Sequence, residues 1–542
     1  MKIFDIMNNF IKKNKGLSSL YIISVIVAYT IKDVVIPDIF GKIFEQKNRI
    51  NQKKFLFIFG LIFGSLLFYN IFFVLMDKSI SHLVPKFSTY ANNLIYKLIL
   101  ERYSEDYQEV KMGETMTNLI LLPGNLKDFF IEIVNLYFPS ILVITIINIY
   151  YYFLNWQIGL IITASILVSV IILYFTMKRT TKYSHDRHVI YEESNEYTSD
   201  RLNNILNILS AGKNQREIVE REKIMDKYEK VYRNNMLQNG TISSILIGLN
   251  SFSLLVVFGY SFYLYKNKKI SISKMITILV ILLMYLSNIL YVSSDIPILV
   301  HYFGFFQSAN QFLDGINFDK KKKNNRKEKR FINGNIICKN ITYQFENGYK
   351  VLDRVNLTFR KGVINGIDGK SGRGKTTLIN LLLRLHKLTS GQILIGGVDI
   401  SDIPIEKLRE NLALVTQKPK LFNESIYYNI LYRNPKLSPK EVDKKIREYG
   451  LQQVFAEVDL NRKVGVNGDN LSGGQKQIVI ILRAILNNTP IIIMDEPTAS
   501  IDVYHKKYIV NLIKKLKSKG KTIIVISHDP ELQAIYENKI RL

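Results

Sequence analysis

A chain of 542 residues and 62.9 kDa is too long for one ordinary domain, so roughly two to four folded units are expected. Its hydrophobic content of 47% is unevenly spread: apolar runs fill roughly the first 300 residues, and charge alternating with short apolar strands fills the rest, as in a membrane segment followed by a globular one. The net charge of +27 fits a coding bias toward Lys, Asn, Ile and Tyr, with an anionic membrane surface or a nucleic acid as alternatives; the single cysteine, Cys338, excludes an intramolecular disulfide, and no Cys/His cluster has structural-metal spacing.

The first elements in the chain are membrane spans. A hydrocarbon core about 30 Å thick needs roughly 20 apolar helical residues, and six stretches supply them, at about 17–40, 55–76, 129–153, 157–177, 241–265 and 273–299. The first follows Lys12, Lys13 and Lys15 as a signal peptide would, but it has no small-residue cleavage site and further spans follow, so it is read as a retained helix. Lys42, Lys47, Arg49 and Lys53 after the first span, and Lys266, Lys268, Lys269 and Lys274 after the fifth, blunt the positive-inside rule.

The connections 77–128 and 178–240 are far longer than the others and carry charge at helical spacing. Structureless loops of that length are improbable, so both are predicted to continue the membrane helices into water. Gly113, Pro123 and Gly124 in the first, and Gly212 in the second, are the predicted turn points that would present a transverse helix. Lys32 and Asp33 in the first span, and Asp295 beside Pro297 in the last, would be costly facing lipid and are expected to face a cavity, a partner or a helix interface. Adjacent residues do not share a helix face, so Lys32 and Asp33 need not pair. The aromatic run Tyr150 to Phe153 is read as an interfacial belt. Beyond the last span, Lys320 to Lys323, Arg326, Lys327, Lys329 and Arg330 mark a basic linker at 316–332, either solvated or touching anionic headgroups. The predicted domains are therefore a membrane domain at 1–315 and a globular domain at 333–542.

Within the globular part, a strand from Val363 to Asp368 leads into Gly369, Lys370, Ser371, Gly372, Arg373, Gly374, Lys375 and Thr376, and a helix is predicted from near Lys375 through Leu378, Leu381, Leu382 and Leu385. This is the setting of a phosphate loop: glycines let backbone N–H groups face one concavity, the helix N-terminus adds a positive dipole end, Lys375 reaches the β and γ phosphates, and the Thr376 hydroxyl ligates Mg²⁺. Downstream, Ile491 to Met494 reads as a buried parallel strand that delivers Asp495 and Glu496 to its carboxyl end. Asp495 would complete the Mg²⁺ shell, and Glu496 would orient or deprotonate the attacking water.

With these motifs in this order the chain resembles ATP-binding cassette transporters of the exporter type. The resemblance covers nearly the whole chain, is strongest between 341 and 530, and implies a six-helix, all-α transmembrane domain followed by an α/β P-loop NTPase domain. It implies that Leu471, Ser472, Gly473, Gly474 and Gln475 are the signature motif, which meets the ATP of the partner subunit, and that Ser500 and Asp502 belong to the D-loop. It further implies Gln417 as the Q-loop glutamine reaching metal and water, His528 as the switch histidine at the γ-phosphate, and Phe345 as the adenine-stacking aromatic with Tyr343 turned inward. Glu496, His528 and Gln417 are thus the expected catalytic residues, and Thr376, Gln417 and Asp495 the expected Mg²⁺ ligands. The phosphate-loop residues with Thr377 and Phe345 are expected to hold ATP. Two features depart from the family pattern: Ile478 stands where an arginine is usual, and Leu542 comes soon after His528, which bears on the packing of the tail and on hydrolysis rate.

ATP is met in the cytosol, so the globular domain is placed there and six spans return the N-terminus to the same side of a multi-pass membrane protein. One chain holds one phosphate loop and one signature, so the implied partner is a second copy, as a homodimer, or a related half-transporter. The implied function is ATP-driven export, or movement between leaflets, of a hydrophobic, lipid or peptide cargo through alternating access. An ATP-gated channel or regulatory membrane ATPase is the alternative, distinguished by ion currents in place of vectorial flux. A nucleic-acid partner is not expected, given the apolar runs. No peptidase domain is expected ahead of Phe4 to Ile11, which argues against leader-peptide processing.

Overall fold

The computed structural model describes residues 3–44, 52–105, 112–314, 329–345, 348–370, 372–455, 458–486, 488–499 and 503–542. The chain divides into two compact units, chiefly Met1–Glu101 with Val110–Asp319, and Lys320–Leu542.

In the first unit, six helices among the described residues are long and apolar enough to cross a membrane: Lys15–Ile43, Phe55–Glu101, Leu119–Leu154, Trp156–Asn203, Asn214–Lys266 and Ile272–Gln307. At about 1.5 Å per residue, the 48 and 53 residues of Trp156–Asn203 and Asn214–Lys266 far outrun a bilayer core, so the charged connection 178–240 is helix on both sides of its turn. Phe57, Tyr174, Phe175 and Leu255 point outward and are well over half exposed, the arrangement for a lipid solvent. Ile147, Tyr151, Ile158, Val257, Ile281 and Tyr285 close the interior between the third to sixth spans.

Polar side chains join these helices where lipid offers them nothing. Asn250 donates to Ser169 Oγ and accepts from Ser165 Oγ, both at 3.1 Å, which ties the fourth span to the fifth. Tyr137 donates to Asp295 at 2.6 Å, so Asp295 faces a helix interface. The aromatic run differs from the expected belt: Tyr150 donates to Asp38 at 2.8 Å and the fully buried Tyr151 donates to the Ile278 carbonyl at 3.1 Å, while Phe153 is exposed. Each buried hydroxyl needs a partner, and a facing helix supplies one.

Two π-helical turns, Ile31–Val35 and Ile133–Tyr137, interrupt the first and third spans. Each lies just before a proline, Pro37 or Pro139. A proline offers no N–H to the carbonyl four residues earlier and its ring collides with it, and widening the turn relieves both. Pro123 and Gly124, by contrast, make no turn: helix Met112–Glu132 runs through them. Leu122, Leu126, Phe129 and Phe130 are buried along one face, and that packing outweighs one missing hydrogen bond. Gly113 is likewise helical, at the start of the same element, so neither predicted break in this connection is a turn within the described residues. Gly212 does turn the chain, at φ 63°, between the short helix Ile205–Ser210 and Asn214–Lys266. Of the basic linker, residues 320–327 lie outside the described residues; Lys329 pairs with Asp402 at 2.9 Å.

The second unit is built from nine strands among the described residues: β1 Ile336–Gln344, β2 Lys350–Phe359, β3 Ile364–Asp368, β4 Ser390–Ile395, β5 Val398–Asp399, β6 Leu412–Val415, β7 Ile491–Asp495, β8 Thr522–Ile526 and β9 Asn538–Arg541. They form a four-stranded antiparallel sheet, β2-β1-β4-β5, and a five-stranded parallel sheet, β6-β7-β8-β3-β9. β7 and β8 are apolar and buried over almost every residue, as central parallel strands covered on both faces must be. The helix after the phosphate loop spans Lys375–Leu382 and stops short of Leu385. Arg384 enters the left-handed region at φ 50°, and the Leu385 N–H turns back to the Asn380 carbonyl at 2.7 Å, closing the helix end.

Candidate functional site

Strand order alone assembles the site. β6, β7, β8 and β3 are neighbours and parallel, in register through Val415 with Met494, Asp495 with Ile526, and Ile367 with Ile526. The segments leaving their carboxyl ends therefore emerge along one edge: Gln417 after β6, Glu496 after β7, His528 after β8 and Gly369 after β3. Open α/β sheets bind ligands at such an edge.

The phosphate loop is shaped by Gly374, which sits at φ 85° at the start of its helix; a Cβ there would lie 2.8 Å from Val351 Cγ1. Lys375 Nζ donates to the Gly369 carbonyl at 2.6 Å and to His528 Nε2 at 3.2 Å. His528 Nε2 in turn lies 3.8 Å from Glu496 Oε1. Thr376 Oγ1 reaches Asp495 Oδ2 at 3.5 Å. Lys370, Arg373 and Thr376 are exposed and Thr377 is half-buried; Ser371, Ser500 and Asp502 lie outside the described residues.

Glu496 adopts φ 45°, a strained conformation for a side chain of its kind, and its N–H is fixed to the Ile526 carbonyl at 2.9 Å. Burial, then the negative charge of Glu496, push the Asp495 carboxyl above the ordinary carboxylate range, against the opposing pull of Thr376 and Lys375. Two adjacent acids held at this edge call for positive charge. Ser527, which the motifs did not single out, donates to Glu496 Oε2 at 3.4 Å; its place beside His528 was the available signal.

Phe345 and the signature segment stand apart from this cluster. Phe345 is 41% exposed beyond β1 and meets the buried Tyr343 edge-on at 5.2 Å; Tyr343 stacks on His386 at 5.1 Å. Tyr343 does turn inward and Phe345 outward. Ser472 starts the helix Gly473–Ile485 through a capping box in which its side chain accepts from the Gln475 N–H and Gln475 returns the bond to the Ser472 N–H. Leu471 is buried, while Ser472 and Gly473 are exposed at the positive end of the helix, where an anion from outside would dock.

This combination of an apolar helical membrane unit and a phosphate-loop ATPase unit defines a membrane ATPase. Residues 19–290 match the family model of the ABC transporter transmembrane region and residues 352–499 the ABC transporter model, so the chain belongs to the ABC transporter family, with both parts fused as in an exporter half-transporter. It is similar to the ATP-dependent lipid A-core flippase of Neisseria gonorrhoeae, 26% identical over 452 residues, which are 80% of this chain and 70% of that one. A protein of the same name from Syntrophus aciditrophicus is 37% identical over 199 residues, 36% of this chain and 33% of the other. The structure described as a bacterial Atm1-family ABC exporter with ATP bound shares the fold, with a TM-score of 0.84 at 18% identity, over 97% of this chain and 94% of that one. The chain is a multi-pass integral membrane protein that binds ATP and couples its hydrolysis to export or leaflet-to-leaflet transport.

Proposed function

We propose that the chain acts as a homodimeric flippase or exporter of an amphipathic, lipid-like cargo, with each ATP held between the phosphate loop of one copy and Ser472, Gly473 and Gly474 of the other. The lipid assignment rests on the lipid A-core flippases that resemble it along most of its length. Hydrolysis is supported above all by the meeting of Lys375, His528 and Glu496 at one sheet edge, with successive separations of 3.2 and 3.8 Å.

In this reading Lys375 leaves Gly369 and His528 to bind the γ-phosphate, and His528 then contacts the same phosphate. Glu496, held by its strained backbone and by Ser527, accepts the proton of the attacking water. Phe345 stacks on adenine, and Gln417 leaves β6 beside the metal and the water. Asp502 and Ser500 would complete the seam between copies. The oxygen donors Thr376 and Asp495 fit Mg²⁺, which prefers hard ligands and takes much of its coordination from phosphate and water; bound there, it neutralises developing phosphate charge. Closing on ATP and opening after hydrolysis would alternate the access of the membrane unit.

The test is ATPase activity of the purified chain in liposomes, screened with lipids, peptides and hydrophobic cations, with Glu496→Gln alongside. The expected variant binds ATP but does not turn over. Unchanged turnover would remove Glu496 from catalysis, and stimulation by peptides alone would remove the lipid reading.

A further inference from the structure

The first span carries one buried carboxylate, Asp33, that no described residue meets with a hydrogen bond. Asp33 is 1% exposed, and neither of its oxygens accepts a hydrogen bond among the described residues. Two other acids in the spans are met: Asp38 by Lys42 and Tyr150, both at 2.8 Å, and Asp295 by Tyr137 at 2.6 Å. The neighbouring Lys32 acts on it electrostatically but donates no hydrogen bond to it. Lys32 is exposed, and its ammonium lies 5.5 Å from the ring centre of Tyr29. A buried carboxylate with no donor is unfavourable unless positive charge reaches it.

Its surroundings suit an organic cation. Asp33 lies in the π-helical turn Ile31–Val35, an irregularity that often marks a functional position in a helix. Tyr29 and, from the second span, Tyr69 stand within electrostatic reach of it, and Tyr29 is likewise close to Tyr291 of the sixth. Aromatic faces beside a carboxylate hold ammonium and quaternary nitrogen, and Tyr29 already carries one ammonium, that of Lys32. The same turn also offers space for an apolar body. Thr30, Ile31 and Val35 line a groove of about 670 Å³ against Gly60, Gly64 and Phe68 of the second span. That volume is in the range of small-molecule sites.

We propose that Asp33 recognises the positively charged nitrogen of an amphipathic cargo, whose apolar part lies in the adjoining groove. The inference rests on the reading that the membrane unit carries amphipathic cargo, and it adds the sign of the cargo's charge. Tyr29 and Tyr69 stand within electrostatic reach of the carboxylate, and Asp33 supplies the only negative charge that no described hydrogen bond has claimed among Asp33, Asp38 and Asp295.

The experiment is ethidium binding to the full-length purified chain in dodecyl maltoside, followed by fluorescence anisotropy, with a nucleotide-binding assay on each variant as the folding control. Asp33→Asn is expected to weaken binding about tenfold or more, because it removes one partner of a desolvated charge pair. Asp33→Glu is expected to retain it, and so is Asp38→Asn, which removes a carboxylate already met by Lys42 and Tyr150. Stearylamine is expected to displace ethidium and stearyl alcohol is not, which separates charge recognition from tail recognition. Equal affinity in Asp33→Asn, an equal loss in Asp38→Asn, or displacement by both competitors overturns the proposal. So does the absence of saturable binding in a chain that still hydrolyses ATP, an outcome that leaves the transport reading standing; a chain with no turnover at all would count against that reading instead.

Discussion

Lys375 Nζ stands 3.2 Å from His528 Nε2, although the two residues are 153 positions apart. A lysine ammonium only donates, so this contact needs Nε2 as the acceptor, with the ring proton on Nδ1. A γ-phosphate arriving between them turns both roles: Lys375 gains an anion, and His528 must offer it a proton. His528→Ala should therefore lower turnover by about 10²-fold while ATP affinity changes only a few-fold. Steady-state ATPase and equilibrium nucleotide binding on the same preparation check this. A variant that loses ATP binding in step with turnover would make His528 a prop for Lys375 alone.

The acid pair at the end of β7 predicts a trade between stability and function. Asp495 is raised by its burial first and by Glu496 second. An acid whose folded pKa is raised contributes stability that is fully present below the ordinary carboxylate range and is lost as pH rises through the raised value. Near neutral pH, Asp495 is thus a burden on the nucleotide-free domain. Asp495→Asn should raise its thermal midpoint at pH 7, with a smaller gain at pH 4, and should abolish Mg²⁺-dependent turnover. The same sign means that protons compete with Mg²⁺, so metal affinity should fall with decreasing pH at a higher pH than for an unperturbed aspartate. Identical midpoints for variant and parent at both pH values would contradict this account.

The residues that carry these arguments were legible to different degrees. Lys375, Thr376, Asp495 and Glu496 could be read because each chemistry fixes residue type and spacing within one strand-to-helix turn. Their meeting with His528 could not be read from spacing, since it depends on β8 lying between β7 and β3. Length and apolarity marked the spans, but not the π turns at Ile31 and Ile133, which answer to prolines further along the chain. Pro123 misled for the related reason that a local helix breaker was outweighed by the buried face of Leu122, Leu126 and Phe129. Tyr150 and Tyr151 misled because amphipathic rings suit a bilayer interface and a helix interface equally well.

Two serines separate capping from nucleotide contact. Ser438 and Ser472 each form a full capping box, with Glu441 and Gln475 respectively. Replacing either with alanine should cost about 1 kcal/mol of helix stability. Only Ser472→Ala should also depress ATP turnover beyond what the stability loss explains, because only that helix start is expected to face the ATP of a second copy. Thermal unfolding and ATPase rates of both variants, side by side, make the comparison. Equal effects on activity would mean that the signature serine is a cap and nothing more.

Ile478 stands where the family usually has arginine, and the fold gives the reason that it should not be reverted. It is 1% exposed and packed within the core that includes Val479, Ile481, Leu482 and Val442. The arginine in this region is Arg483, one and a half turns later, which donates to the Asn429 carbonyl at 2.6 Å and to its side-chain oxygen at 2.8 Å. Ile478→Arg would place a charge in an apolar core with no acceptor prepared for it, at a cost on the order of 3 kcal/mol or more. Cys338 offers a direct reporter. It is the only cysteine, is 2% exposed in the second sheet-built core, and burial pushes its thiol up to about 12, so it should be silent in the folded domain. Maleimide labelling of Cys338 in urea should reach half-completion at a lower concentration in Ile478→Arg than in the parent. A variant that resists urea equally well and hydrolyses ATP faster would show that the site had room for the arginine after all.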